Sequence, residues 1–230
     1  MNTPFYFGIH LNYLCIFLAG TLLASLLMSW LYNNFFTLHV FVRKFSLIDI
    51  KSPATPLELA TYINGIFLLP KHLQQKSLRS LKGSLCVDFI VMILLYGTIF
   101  LLCMHIAEKL TSSGRLLFEV LAWLQLVALI CGITGNIYLL QKIHPETKPS
   151  PDSVHFLLQI IENLKWAVSL LAVVCSISLM VYFWFTGNYL YSSLHFFIII
   201  IVEIIVFFIL KKILTKNPKV ILDQYRDVVN

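Results

Sequence analysis

Apolar residues in this chain gather into five long runs, and the polar residues fall between them. The runs cover about 9–32, 84–106, 116–140, 166–186 and 194–212. At 1.5 Å per residue, each reaches across most or all of a roughly 30 Å hydrocarbon layer as a helix. In the last of them, from Leu194 to Leu210, only His195 and Glu203 are not apolar. The pattern predicts an all-α, polytopic integral membrane protein with about five transmembrane helices. The first run is longer than the apolar core of a signal peptide, and no Lys or Arg precedes it, so it is expected to be retained as a span.

The polar stretches organise the spans. The longest, a basic loop over 33–83, carries a helix-start signature: Thr55 as N-cap, Pro56 at the first helical position and Glu58 as the capping-box acid. Leu59, Tyr62, Ile63, Ile66 and Phe67 then recur with helical spacing until Pro70 ends the run. This predicts an interfacial amphipathic helix between the first and second spans. It is followed by a basic segment, Lys71 to Lys82, expected to face anionic lipid headgroups.

Spans two and three are joined by the short AEKLTSSGR and should be antiparallel neighbours, with Gly97, Gly132 and Gly135 permitting close approach. The stretch after span three is broken by Pro145, Pro149 and Pro151 and reads as a hinge or linker, with Asp152 or Ser153 capping a helix that continues into span four. Gly187 to Ser193 links spans four and five as a hairpin, and Asn217-Pro218 opens a C-terminal cytoplasmic helix over 217–230. The whole, 1–230, is expected to be a single membrane domain.

Composition agrees with lipid: 59% of residues are hydrophobic and 12% charged, against about 25% charged in soluble domains. The net charge of +6 is a topological marker here and does not call for nucleic acid. With five spans, one side receives seven, three and five Lys/Arg and the other none, two and none. This predicts an N-terminus outside and a C-terminus in the cytoplasm. The five cysteines lie in apolar runs without a CxxC pair and read as small apolar side chains.

No catalytic motif is present: HExxH, GxSxG, DDxxD and a Walker-type glycine loop are all missing, so no catalytic residue or cofactor is expected. Five polar residues inside the spans are the candidates for a site. Asp88, Asn136 and Lys165 fall at one depth toward the inner face together with Asn163, where Lys165 is expected to pair Asp88 around a polar pocket or as a plain ion pair. Glu203 falls near mid-membrane with no cation at its depth. It is expected to be uncharged and hydrogen bonded to Gln125 of span three, or to Ser176 or Ser178 of span four. His10, His105 and His195 share the outer level, but none shows paired ligand spacing, and no metal is expected.

The reading is a non-enzymatic integral membrane protein, a subunit or scaffold with a basic cytoplasmic docking surface. Its partners are the lipid bilayer, anionic headgroups, and a membrane-protein partner or a second copy of itself. The alternative is a small proton-coupled transporter or channel using Glu203.

Overall fold

The computed structural model describes residues 4–31, 36–37, 43–44, 50–51, 53–187 and 193–214. The elements run α1 (Pro4–Leu31), β1 (Phe36–Thr37), β2 (Arg43–Lys44), α2 (Pro56–Phe67), α3 (Lys71–Ala107), α4 (Ser112–Lys142), α5 (Asp152–Phe185) and α6 (Ser193–Leu214). Four helices, α1 over Leu11–Leu31 together with α3, α4 and α5, are long and apolar enough to cross a membrane. The two short strands, paired antiparallel with Phe36 opposite Lys44, are the departure from helix among the described residues. The C-terminal helix expected over 217–230 lies outside the described residues.

The basic segment after Pro70 is continuous with the second span. Lys71–Ala107 is one helix of 37 residues, about 55 Å long, which exceeds the hydrocarbon thickness by about 25 Å. Along its outer surface the exposed side chains change from Lys71, His72, Gln75, Lys76, Arg79 and Lys82 to Cys86, Ile90 and Ile93. The lower part of α3 therefore presents polar groups and the upper part apolar ones.

α3 is also the hub, packing on α1, α4 and α5. Its contact with α1 is close because Gly97 faces the Phe17 ring, only 2.6 Å from where a Cβ would sit. α6 packs principally on α1 and not on its chain neighbour α5. A link of the length of 187–193 can stretch over about 20 Å, so the chain connection does not oblige the two helices to pack together.

Three apolar clusters hold the bundle, the smallest of them around Met92, Tyr96 and Ala128. At one end Ile99, Cys103, Ile106, Phe118, Ala122 and Ala172 join α3, α4 and α5. At the other, Leu81 and Leu85 of α3 and Leu139 and Ile143 of the α4 end meet Ile50 and the face of α2 made by Leu59, Ile63 and Ile66. That face of α2 is covered by protein. α2 begins as its sequence predicts, with Thr55 Oγ1 accepting from the Glu58 N–H at 3.2 Å and the Glu58 carboxylate accepting from the Ala54 N–H at 2.8 Å. Its apolar side, however, is spent on protein. The ends of α3 and α4 offer it an apolar surface with matching shape, and packed side chains gain dispersion contacts that mobile headgroups do not supply.

The proline-rich stretch after α4 is fastened down. Asn64 of α2 accepts from the Thr147 N–H at 2.8 Å and donates to the Thr147 carbonyl at 3.1 Å. The Thr147 hydroxyl lies 2.7 Å from both the Lys142 and His144 carbonyls, satisfying the open end of α4. The expected hinge is thus a clamped connection. Asn64→Ala removes both cross-chain bonds, each worth about 1 kcal/mol net. Protease cleavage between His144 and Pro151 should accelerate by about tenfold or more as the clamp opens, measured by limited proteolysis in detergent.

Candidate functional site

Asp88 is the centre of the polar groups that α3, α4 and α5 carry inside the bundle. It is 6% exposed, and its carboxylate accepts from Asn136 Nδ2 of α4 at 2.6 Å and from Lys51 Nζ. The cation is not the one expected. Lys165 of α5, itself buried, donates to Glu162 Oε2 at 2.6 Å, one turn back on its own helix. Local geometry decides this exchange: acids and bases at i and i+3 on a helix are already neighbours, while Lys51 arrives from a segment packed over the end of the bundle. Asn163, grouped with these residues by depth, is exposed.

Around this knot lies a partly open cleft of about 40 Å³, bounded by Ile50, Lys51 and Pro53, the Cys131 to Leu139 part of α4 and the His155 to Glu162 part of α5. Room for it comes from Gly135, where an added Cβ would meet nothing within 4 Å. Its polar lining is Lys51, Asn136, His155, Gln159 and Glu162. Gln159 is committed by a 3.1 Å bond to the Pro53 carbonyl, which ties Pro53 to α5. Glu162 also accepts from Trp166 Nε1 at 3.1 Å. Among the described residues two atoms of this lining have no partner: Asn136 Oδ1 and His155 Nε2 are buried without a hydrogen bond.

Sequence reading brought Asp88 and Asn136 to one depth, and they touch. It missed Lys51, His155, Gln159 and Glu162. A signal for the last three exists, since they recur at i, i+4 and i+7 in HFLLQIIENLKW and so form one face. Lys51 offers only the hint of a lone cation in the apolar run before Pro53.

Deeper in the bundle, Gln125 is fully buried, donating to the Leu121 carbonyl at 3.2 Å and lying 3.1 Å from the Ser169 hydroxyl. Ser176 faces Cys103 at 3.8 Å. These bonds use the groups expected to hold Glu203. That residue sits instead on α6, which packs on α1, and its Oε2 is enclosed without a hydrogen-bond partner among the described residues. The reason is the packing order: α6 joins the bundle at α1, so α4 and α5 are out of its reach.

Of the three histidines, His105 is buried at the end of α3, and His10 and His195 lie on α1 and α6. Among the described residues no group of three His, Cys, Asp or Glu side chains is arranged to hold a metal ion. No family model, curated protein or solved structure matches the chain.

The Lys51–Asp88 pair makes a quantitative prediction. With side chains 17% and 8% exposed, neither ion is hydrated well enough to stand alone. Asp88→Ala should lower stability by about 3 to 5 kcal/mol by stranding the Lys51 charge, whereas Asp88→Ala with Lys51→Met should recover most of that loss. Thermal denaturation of the four members of the cycle in one detergent checks it; additive losses would show that the two side chains do not depend on each other.

Proposed function

We propose that the chain is a five-span integral membrane protein, N-terminus outside and C-terminus cytoplasmic, that works without catalysis as a subunit or scaffold through a basic cytoplasmic surface. The fifth span is α6, whose 22 residues are long enough to cross and end in Lys211 and Lys212. α2 and the strand pair ride at the cytoplasmic interface. The orientation rests on the imbalance of fifteen Lys/Arg against two between the two sides.

The observation that carries the docking role is the lower face of α3. Lys71, His72, Lys76, Arg79 and Lys82 are all exposed and, at 100° per residue, fall within an arc of about 140° that holds no acid. The start of α5 separately exposes Val154, Phe156, Leu157 and Ile160. A basic helix face that holds no acid has the composition of a contact surface for an acidic partner. Bundle packing also favours this reading over a carrier, because the side chains between α3, α4 and α5 above the cleft close on one another. The carrier or channel reading keeps one observation in its favour, the enclosed and unpartnered Glu203 Oε2.

Changing Lys71, Lys76, Arg79 and Lys82 together to Gln should leave thermal stability unchanged. It should also abolish the co-purification of any partner that high salt strips from the parent. An unchanged set of co-purifying proteins would sink the docking role.

Orientation has its own test. Lys109 lies in the loop between α3 and α4, above the Phe183 ring at 5.9 Å, and burial pulls its ammonium down to about 8. At pH 8 about half of it is free amine, far more than for an ordinary lysine. An impermeant amine-acylating reagent added to intact cells should therefore modify Lys109 and spare Lys71, Lys76 and Lys82. Labelling of Lys76 in its place inverts the topology.

A further inference from the structure

The cleft beside Asp88 joins an apolar wall to a set of open hydrogen-bond acceptors. Asn136 is 1% exposed, and its Nδ2 is held by Asp88, which fixes the amide so that Oδ1 points away from the carboxylate with no donor on it. An amide oxygen can only accept. Each oxygen of the Glu162 carboxylate takes one bond, from Lys165 and from Trp166, and retains further acceptor capacity. His155 Nε2, also without a partner, can accept as the neutral imidazole. Neither nearby lysine fills these positions: Lys51 is bonded to Asp88 and Lys165 to Glu162, and among the described residues Asn136 Oδ1 and His155 Nε2 have no hydrogen-bond partner.

We infer that this cleft is a binding site for a primary ammonium group, with Asn136 Oδ1 and the Glu162 carboxylate as its acceptors. An ammonium carries three donors, and these acceptors come to it from two helices. The space of about 40 Å³ accepts the ammonium head with little more than its first methylene. Lys51, on the same lining, stands where an anionic group following the amine would be neutralised. Two sources share this chemistry: the ethanolamine headgroup of a membrane phospholipid and a free small amine. A quaternary ammonium, as in a choline headgroup, has no N–H and is too bulky, so the site discriminates by chemistry as well as size. The inference does not depend on the docking surface of α3, and either can fail alone.

Gly135 supplies the clean test. A Cβ there meets no atom within 4 Å and lies on the cleft lining, so Gly135→Leu should occlude the site and preserve the fold. Native mass spectrometry of the full chain in detergent, titrated in turn with phosphatidylethanolamine, phosphatidylcholine and free ethanolamine, reads occupancy. The parent should retain phosphatidylethanolamine over phosphatidylcholine by about tenfold or more, the scale of losing one charge-assisted hydrogen bond. Gly135→Leu should erase that preference at unchanged thermal stability, and Glu162→Gln should weaken it by about tenfold. Competition by free ethanolamine would assign the site to a soluble amine, and its failure to compete would assign it to the lipid. Equal retention of the two lipids with no response to ethanolamine would mean that the cleft holds water alone. A preference that survives Gly135→Leu would place the binding elsewhere. Either of these last two results overturns the inference.

Discussion

A bilayer core is about 30 Å thick, and three helices of this chain do not stop at its edge. α3, α4 and α5, with 37, 31 and 34 residues, are about 55, 46 and 51 Å long, and much of the excess lies at one end of the bundle. There the Leu81 to Leu85 part of α3 and the Leu139 to Ile143 end of α4 form a small base on which α2 and Ile50 pack. Everything chemically distinctive follows from that base. It draws Lys51 onto Asp88, it lets Asn64 clamp the proline-rich connection at Thr147, and it leaves room beside Gly135 for a polar cleft.

Inside the bundle, polar side chains follow the rule that a group removed from water must find its partners in the protein. Threonine and serine hydroxyls turn back on their own helices, as Thr98 does to the Leu94 carbonyl at 2.8 Å and Thr134 to the Ile130 carbonyl at 2.9 Å. Gln125 and Ser169 bond across α4 and α5. Ser80 of α3 donates to the Leu31 carbonyl, closing the C-terminal end of α1. Against that background the atoms left open are few, and two of them, Asn136 Oδ1 and His155 Nε2, fall on residues that line the same cleft. Their coincidence with the space beside Gly135 is what marks the place as a site and not merely a packing defect.

α6 has a different character. It packs on α1, and Ile198, Ile201, Val202, Ile205 and Ile209 remain exposed, so most of its circumference is available to lipid. Glu203 is the exception on that surface. The carboxyl is partly covered near Cys15 of α1, away from the polar groups of α4 and α5 that depth alone had matched to it. Equal depth is a necessary condition for contact between helices, but adjacency decides it.

Much of the architecture was legible in the sequence because its causes are local. Run length and composition mark membrane helices, Thr55-Pro56 with Glu58 sets the start of α2, and the apolar residues of α2 name its buried face. What that face would meet was not legible, since the pattern shows only that a surface is apolar and cannot say whether lipid or protein will cover it. The same limit applied to the cleft. Asp88 and Asn136 were matched by depth, but the cation came from Lys51, 37 positions away in a segment with no periodic signal. His155, Gln159 and Glu162 share a helix face that the surrounding apolar residues concealed. The sequence by itself determined helices, their order, their membrane character and their polar exceptions, because hydropathy and capping act within a few residues. Only the tertiary structure decided that α6 lies on α1, which acid holds which lysine, and where a buried acceptor is left open. Those outcomes depend on which surfaces pack together, and packing is a property of pairs of segments that no single stretch contains.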